Sequence, residues 1–221
     1  ARDREYLYSF AGVSTAGYCI RWFRDQLGQV ELEAASKLRV SAYSLLDMEA
    51  EKVPPGSDGL IFMPHMMVGE RAPYWDEYIR GCLLGLTLYH TKAHLFRAFL
   101  EGVAYGLRYS VDAALEAGMP LKRAILVDGG AKSRLWRTIL ADVSGLPMGY
   151  VAENPGAPLG DVVLAGVGTG LLKDYGVVRD WVKVSEVVEP DPGRRKVYEV
   201  LYKVYLEAYT KLRDVFKSMV G

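Results

Sequence analysis

The stretch "VDGGAKSRLWRTILADVSGLPM", residues 127–148, says most about the fold of this chain. An apolar run at 124–127 ends in Asp128, two glycines and a small residue, and a helix-like segment follows at once. Glycines at a strand-to-helix turn serve either tight backbone geometry or the close approach of a ligand. The turn by itself leaves both interpretations open, and purely structural turns of this kind are the commoner case.

The composition is that of an ordinary globular protein. Half of the 221 residues are apolar, and the 27 basic residues balance the 27 acidic ones to a net charge of zero. A chain of this size can bury a core without cross-links. The neutral balance gives no electrostatic footprint for nucleic acid, and no apolar run approaches the ~20 residues of a membrane helix. We therefore expect neither nucleic acid nor membrane as a partner.

The two cysteines, Cys19 and Cys82, are far apart and show no metal-ligand spacing. This usage favours free thiols in a reducing compartment, the cytoplasm, with a single disulfide as the alternative. The N-terminus "ARDREYLYSF" is charged and lacks a starting Met, so it does not resemble a signal peptide. We expect a fragment or a processed chain.

Strand-like and helix-like segments alternate along the chain, which predicts an α/β domain with a mixed or parallel sheet. In open α/β sheets, ligands bind outside the carboxyl ends of strands. The positive end of a helix dipole favours phosphate or another electron-rich group there. Strands are predicted at 6–13, 60–63, 81–87, 124–127, 148–152 and, as a strand or extended arm, 181–188. Helices are predicted from Ser14 or Thr15 to Leu27 and over 31–50, 91–117, 133–144, 157–172 and 193–219.

Other chemistry-bearing residues have plainer interpretations. His90 and His94 have metal-ligand spacing, but the glutamate of a zinc-protease motif is missing, so we favour a capped helix start. Gly166, Gly168 and Gly170 are not followed by Lys-Ser/Thr, so we favour close helix packing. Asp161 is expected near the first turn of its helix, where the dipole favours it. We expect Glu101 to satisfy a buried backbone or arginine partner.

The long loop 64–80, "PHMMVGERAPYWDEYIR", is expected to have a function because loops of this length are rare in compact domains. Its charged residues could act as acid–base groups, but we favour an ion-paired loop that presents aromatic rings to a neighbouring domain or subunit. The methionines near it are expected to fill the core or an interface. The charged residues are Glu70, Arg71 and Asp76, the rings are Tyr74 and Trp75, and the methionines are Met63, Met66 and Met67.

Five motifs, in order along the chain, resemble the C-terminal domain of the FGGY family of carbohydrate kinases, with likeness to its xylulose kinases. They are FAGVSTAGYCIRWFRDQLG (10–28), FMPHMMVGERAPYWDEYIRG (62–81), GCLLGLTLYHTKAHLFRAFLEGVAYGLR (81–108), ILVDGGAKSRLWRTILADVSGLPM (125–148) and APLGDVVLAGVGTG (157–170). The resemblance covers nearly the whole chain. Phe99 departs from the pattern, which usually has a smaller residue there.

The resemblance implies a domain of the actin, hexokinase and Hsp70 type (ribonuclease H-like), a mixed sheet flanked by helices. Residues 1–221 would be the nucleotide-side C-terminal domain without its first hairpin. In the family, the N-terminal domain supplies an Asp-Gly-Thr phosphate loop and most of the sugar pocket. The catalytic aspartate precedes a Gly-Thr-Ser hairpin, upstream of this chain. No catalytic residue is therefore assigned here, and we expect the chain alone to be inactive.

The implied reaction is transfer of the γ-phosphate of Mg-ATP to a sugar hydroxyl, with xylulose as the first candidate. The alternatives are glycerol or another polyol, since APYWD (72–76) resembles glycerol kinases, and a non-catalytic actin-like nucleotide-binding or interaction module. The implied partners are the sugar, the N-terminal kinase domain and a possible second copy in a homodimer. The resemblance implies ATP and Mg²⁺, but no metal ligand in this chain.

The resemblance also answers the question of the two glycines. Gly129, Gly130 and Ala131 match the family's Gly-Gly-Ala turn, which packs against the adenosine of ATP. Gly17 matches a glycine near the nucleotide in glycerol kinases. Arg134 stands where those kinases carry Asn, and either the phosphate or the purine is within its reach. Likewise, Arg21 replaces a Gln.

Overall fold

The computed structural model describes residues 11–67, 69–70, 72–153 and 156–219. Its first elements are α1 (Ala16–Leu27), α2 (Gln29–Leu38) and α3 (Ala42–Ala50). Gly28 ends α1 as predicted, but the single helix expected over 31–50 is wrong. Arg39 adopts a left-handed conformation with φ 56°, which ends α2. The side chain of Ser41 then accepts a hydrogen bond from the Tyr43 N–H and starts α3 as an N-cap.

Two short strands and a long helix follow: β1 (Ile61–Met63), β2 (Cys82–Leu84) and α4 (Lys92–Glu116). The strands pair antiparallel, with Ile61 opposite Leu84, and confirm the predicted strands in shorter form. β1 is fully buried against α4. The contact is so close that a Cβ on Gly102 would lie 2.2 Å from the Phe62 carbonyl oxygen. Phe99, the departure from the family pattern, stacks on the Phe62 ring at 3.7 Å between centroids.

A second, three-stranded sheet carries the predicted turn. Its elements are β3 (Ala124–Leu126), α5 (Arg134–Ser144), β4 (Met148–Tyr150), α6 (Ala157–Gly168), α7 (Val178–Trp181) and β5 (Glu186–Val188). The strand order is β3-β4-β5; β3 runs parallel to β4, and β5 runs antiparallel to it. This confirms the mixed sheet. The segment 181–188 is the end of a short helix followed by a strand, rather than a strand throughout.

The last helix, α8 (Pro192–Ser218), closes the core. It begins at Asp191, whose side chain accepts a hydrogen bond from the Arg194 N–H at 2.8 Å. The tyrosines predicted to lie along one side of it are buried; the first three cluster with the ring of Tyr105 of α4, and the fourth packs against Tyr109. The buried tyrosines of α8 are Tyr198, Tyr202, Tyr205 and Tyr209.

The predicted first strand and the residues of α6 differ in how far the structure agrees with the sequence predictions. In the strand predicted over 6–13, residues 6–10 are outside the description, and 11–13 form no regular structure. Asp161 is the residue directly after the first turn of α6, near the helix start as expected. Gly166 does pack closely, since a Cβ there would lie 2.6 Å from the Leu172 side chain. Gly168 and Gly170 have open space where a Cβ would stand, so packing does not explain them.

Candidate nucleotide site

The glycine turn joins β3 to α5 at the carboxyl end of β3. Residues Gly129–Lys132 form one 3-10 turn, and the Ser133 N–H donates to the Gly130 carbonyl at 3.3 Å. Ser133 is also the N-cap of α5, because its hydroxyl oxygen accepts the Trp136 N–H at 3.0 Å. The strand, turn and helix start predicted from the sequence are thus confirmed. Such a helix start suits an electron-rich group.

The two glycines have different reasons to be glycine. A Cβ on Gly130 would lie 2.7 Å from the Trp136 ring, so this position is filled by packing within the domain. A Cβ on Gly129 would meet nothing within 4 Å. Neither glycine has a positive φ, so backbone strain does not require either of them. Of the two glycines, Gly129 is therefore the one that leaves open space beside the turn backbone.

A buried arginine supports the turn from behind. The Arg137 guanidinium donates to the Ala131 carbonyl and to Glu186 of β5, at 2.6 Å, and lies over the Tyr150 ring. Glu186 also accepts from Nε of the exposed Arg134 at 3.1 Å. Arg134 and Arg137 together hold the pKa of Glu186 below its usual value. The strand β5 thereby fixes both the turn and the orientation of Arg134.

Arg134 lines a concavity of about 410 Å³ between the end of α3 and the start of α5. This volume lies within the roughly 300–1,000 Å³ of small-ligand pockets. One wall contains prolines and Val53, and the other contains Leu135 and Thr138. The cationic residues that line it are Lys52, Arg97, Arg134 and Arg194, and Glu51 is the acidic one. The concavity therefore combines apolar side chains with cationic ones, three of which are already paired with acids: Arg97 with Glu101, Arg134 with Glu186 and Arg194 with Asp142.

Asp47 of α3 is a residue of this region that sequence reasoning missed. Its carboxylate lies beside the side chain of Ser133, the N-cap of α5. Burial raises the pKa of Asp47 to about 6, the Ser133 side chain works against this rise, and Glu51 adds to it. No motif marks Asp47, because its position beside Ser133 is a tertiary feature of the fold.

Gly17 and Arg21 both lie on α1. Gly17 is exposed on α1, and a Cβ there would meet nothing within 4 Å. Arg21, ion-paired with Asp25 at 3.5 Å, lines a second concavity of about 410 Å³ beside Trp22. Arg21 and Arg134 thus line different concavities, and the turn residues 129–131 line neither. The described residues alone do not bring the five predicted nucleotide residues into one pocket.

Glu101 is a structural hub, as expected. Its carboxylate accepts from Nε of Arg97 at 2.8 Å and from the Tyr198 hydroxyl at 2.9 Å. It also accepts from the Gly56 N–H and the Ser57 hydroxyl, at 2.9 and 2.8 Å. Burial raises the pKa of this carboxyl, while Arg97 works against the rise. The cluster ties α4, α8 and the loop before β1 together in the interior.

The loop 64–80 is ion-paired, as favoured, and two of its acids are buried. Glu70 accepts from the backbone and hydroxyl of Ser14 and contacts Nδ1 of His65 at 3.1 Å. Asp76 pairs with Arg213 of α8 at 2.7 Å. Arg71 lies outside the described residues. Met63 is core filler, whereas Met66, Met67, Tyr74 and Trp75 are exposed.

The histidines and cysteines have structural partners or stand free. His90 precedes α4. Thr91 is the N-cap of this helix, and the Thr91 N–H donates to Nδ1 of His94, which supports the predicted capped start. Within the described part of the chain, no cluster of three or more His, Cys, Asp or Glu could hold a metal ion. Cys19 is buried and Cys82 half-buried, and both thiols are free.

Comparison with known proteins defines the class. Residues 1–169 match the FGGY family of carbohydrate kinases, C-terminal domain, and the chain belongs to this family. The gluconokinase of Bacillus subtilis is 33% identical over 217 residues, covering 94% of this chain and 42% of the relative. The xylulose kinase of Staphylococcus epidermidis is 31% identical over 214 residues, covering 96% and 41%. The chain thus spans about two fifths of the length of these relatives.

A solved structure confirms the fold. The crystal structure of xylulose kinase from Rhodospirillum rubrum superposes with a TM-score of 0.79 at 33% identity, over 93% of this chain and 40% of that one. The fold is therefore the actin/hexokinase-like one that the motifs implied. Among the described residues, no helix has the length and apolar character needed to cross a membrane.

Proposed function

We propose that this chain is the nucleotide-binding half of a carbohydrate kinase, which transfers the γ-phosphate of ATP to a sugar hydroxyl. The observation that carries the proposal is Gly129, whose side-chain position is open at the carboxyl end of β3, directly before an α-helix. Family membership supplies the reaction class. Gly129, Gly130 and Ala131 would pack against the adenosine, with Gly17 nearby and Arg134 reaching the purine or a phosphate.

In phosphoryl transfer the protein mainly positions groups and stabilises charge, while a carboxylate takes the proton of the attacking hydroxyl. We place that carboxylate in an N-terminal kinase domain, which the greater length of the relatives supports. Magnesium would arrive with ATP, held largely by phosphate oxygens and water. The acceptor we put first is xylulose. Gluconate and glycerol are the alternatives, because kinases for all three are about a third identical to this chain.

The exposed loop rings support a contact with another body. Trp75 is 71% exposed, and Tyr74 touches the Tyr109 ring edge-on at 5.8 Å. The N-terminal kinase domain or a second copy of the chain would cover them. We expect Trp75→Ala to weaken the association of the chain with one of these two partners, measured by sedimentation, while its melting temperature stays unchanged. An unchanged association constant with both partners would contradict the proposed contact.

The test of the function is nucleotide binding without turnover. ADP should shift the NMR signals of the turn and the start of α5, with a Kd of roughly 1 mM, because we place the other half of the cleft in the N-terminal kinase domain. With Mg-ATP and xylulose, gluconate or glycerol, the chain alone should release no sugar-dependent ADP. Turnover by the chain alone would contradict our placing of the proton-accepting carboxylate in the N-terminal kinase domain. An absence of ADP binding would contradict the proposed role in nucleotide binding.

A further inference from the structure

We propose that Arg137 is a positioning residue of the nucleotide site: it holds the glycine turn in the shape that binds the nucleotide, without touching the nucleotide itself. The inference rests on the proposed function, because it presupposes a nucleotide at the turn. Its starting point is the hydrogen bond from the Arg137 guanidinium to the carbonyl of Ala131, the third residue of the Gly129–Lys132 turn. One side chain of α5 thus holds the backbone of the turn that precedes the helix.

The position of Arg137 in α5 explains how its side chain reaches the turn. Arg137 lies at the end of the first turn of the helix, where its N–H donates to the Ser133 carbonyl at 3.1 Å. Long helical side chains point back toward the helix N-terminus. The guanidinium therefore returns toward the 3-10 turn and meets it on its buried side, since Ala131 is buried. The open side of the same turn, at Gly129, is left free for a ligand.

Three contacts fix the guanidinium itself. Nη1 donates to the Ala131 carbonyl, Nη2 donates to Oε2 of Glu186 at 2.6 Å, and the group lies 4.3 Å from the centre of the Tyr150 ring. Tyr150 and Glu186 are opposite each other on β4 and β5. The sheet thereby sets the guanidinium, and the guanidinium sets the turn carbonyl. A lysine presents one nitrogen without the fixed fork of an arginine, so it does not reproduce this geometry.

Stability alone does not account for a charged group at this place. Arg137 is buried, and its Nε has no hydrogen-bond partner among the described residues. Burying such a group is costly, and apolar replacements of buried ion pairs are often neutral or stabilising. Glu186 is partly exposed and also accepts from Nε of Arg134 at 3.1 Å, so it keeps a cation without Arg137. The contribution particular to Arg137 is its bond to the turn.

Arg108 of α4 has the same chemistry without a bond to the turn, which makes it a matched control. It is buried, donates to Glu199 of α8 at 2.8 Å and lies 4.1 Å from the centre of the Tyr202 ring. Its Nε, 3.7 Å from Asp112, likewise has no hydrogen bond within the described part of the chain. Replacing Arg108 and replacing Arg137 therefore remove similar groups, and the contact with the turn carbonyl distinguishes them.

The experiment measures ADP binding by NMR titration of the wild type, Arg137→Met, Arg137→Lys and Arg108→Met, using the chain as it is. Arg137→Met frees the turn carbonyl, and we expect a Kd about fivefold higher, the equivalent of one lost hydrogen bond. Arg137→Lys keeps the charge but not the fork, and should raise the Kd about threefold. Arg108→Met should keep the wild-type Kd. Melting curves of all variants check folding.

A spectroscopic signature separates positioning from a general loss of stability. Before ADP is added, the carbonyl carbon of Ala131 should shift in both Arg137 variants, because its hydrogen-bond donor has changed. The same signal should stay in place in Arg108→Met.

The outcomes separate the inference from the function on which it rests. An unchanged Kd in a folded Arg137→Met, or in Arg137→Lys if the methionine variant does not fold, would overturn the positioning role and leave the nucleotide site standing. An equal rise of the Kd in Arg108→Met, or an unshifted Ala131 carbonyl carbon in the Arg137 variants, would overturn it as well. An absence of ADP binding in the wild type would overturn the proposed function and the inference together.

Discussion

Gly130 and Trp136 lie so close that a Cβ atom on Gly130 would stand 2.7 Å from the indole ring. Trp136 is buried, and its Nε1 donates to the Leu100 carbonyl at 3.1 Å, so the ring has little freedom to move. Gly130→Ala should therefore lower the free energy of unfolding by about 1–3 kcal/mol. Gly129→Ala, its matched control in open space, should change it by less than about 1 kcal/mol. Urea denaturation measures both, and equal midpoints would refute the packing role of Gly130.

Glu101 should be among the most sensitive positions of the fold. Glu101→Gln removes the charge that compensates the buried Arg97, and losing one partner of a buried pair costs about 3–5 kcal/mol. Glu207→Gln, which removes an exposed pair with Lys211 on α8, should change the free energy of unfolding far less, because water screens exposed ion pairs. Urea unfolding compares them. Similar losses for the two variants would contradict the hub assigned to Glu101.

The stability of the fold should depend on the pH through Asp47. The pKa of this group rises from 3.8 to about 6 on folding, so the folded state holds the proton more tightly. Its contribution to stability is fully present below pH ~4 and is lost as the pH rises through about 6. Asp47→Asn should therefore raise the free energy of unfolding at pH 7.5 by on the order of 1–2 kcal/mol, after allowing for screening by water. The gain should vanish at pH 4.

Denaturation of the wild type and Asp47→Asn at pH 4 and pH 7.5 measures this difference. Glu51→Gln serves as a neighbouring carboxylate control. A variant that is less stable than the wild type at pH 7.5 would mean that the ionised carboxylate is well compensated in the fold.

The sequence predicts the elements around the turn well, because their signals are local. Gly129 and Gly130 end a strand, Ser133 caps a helix, and Thr91 caps another, all as short-range patterns. The break between α2 and α3 was missed because neither Gly nor Pro marks Arg39 and Val40. The different environments of the two glycines, and the approach of Asp47 to Ser133, are tertiary contacts. The hydrophobic pattern and the spacing of residues along the chain do not predict such contacts.

We propose that nucleotide binds at the open glycine of the turn, Gly129. Gly129→Val places a branched side chain where the structure has open space, so the fold should tolerate it while the nucleotide is excluded. An NMR titration with ADP of wild type and Gly129→Val, with melting curves of both, is the most direct test. We expect wild-type shifts over 129–134 and at Gly17, and their loss in a variant of matched melting temperature. Equal ADP binding by both proteins, or wild-type shifts confined to other residues, would contradict the account.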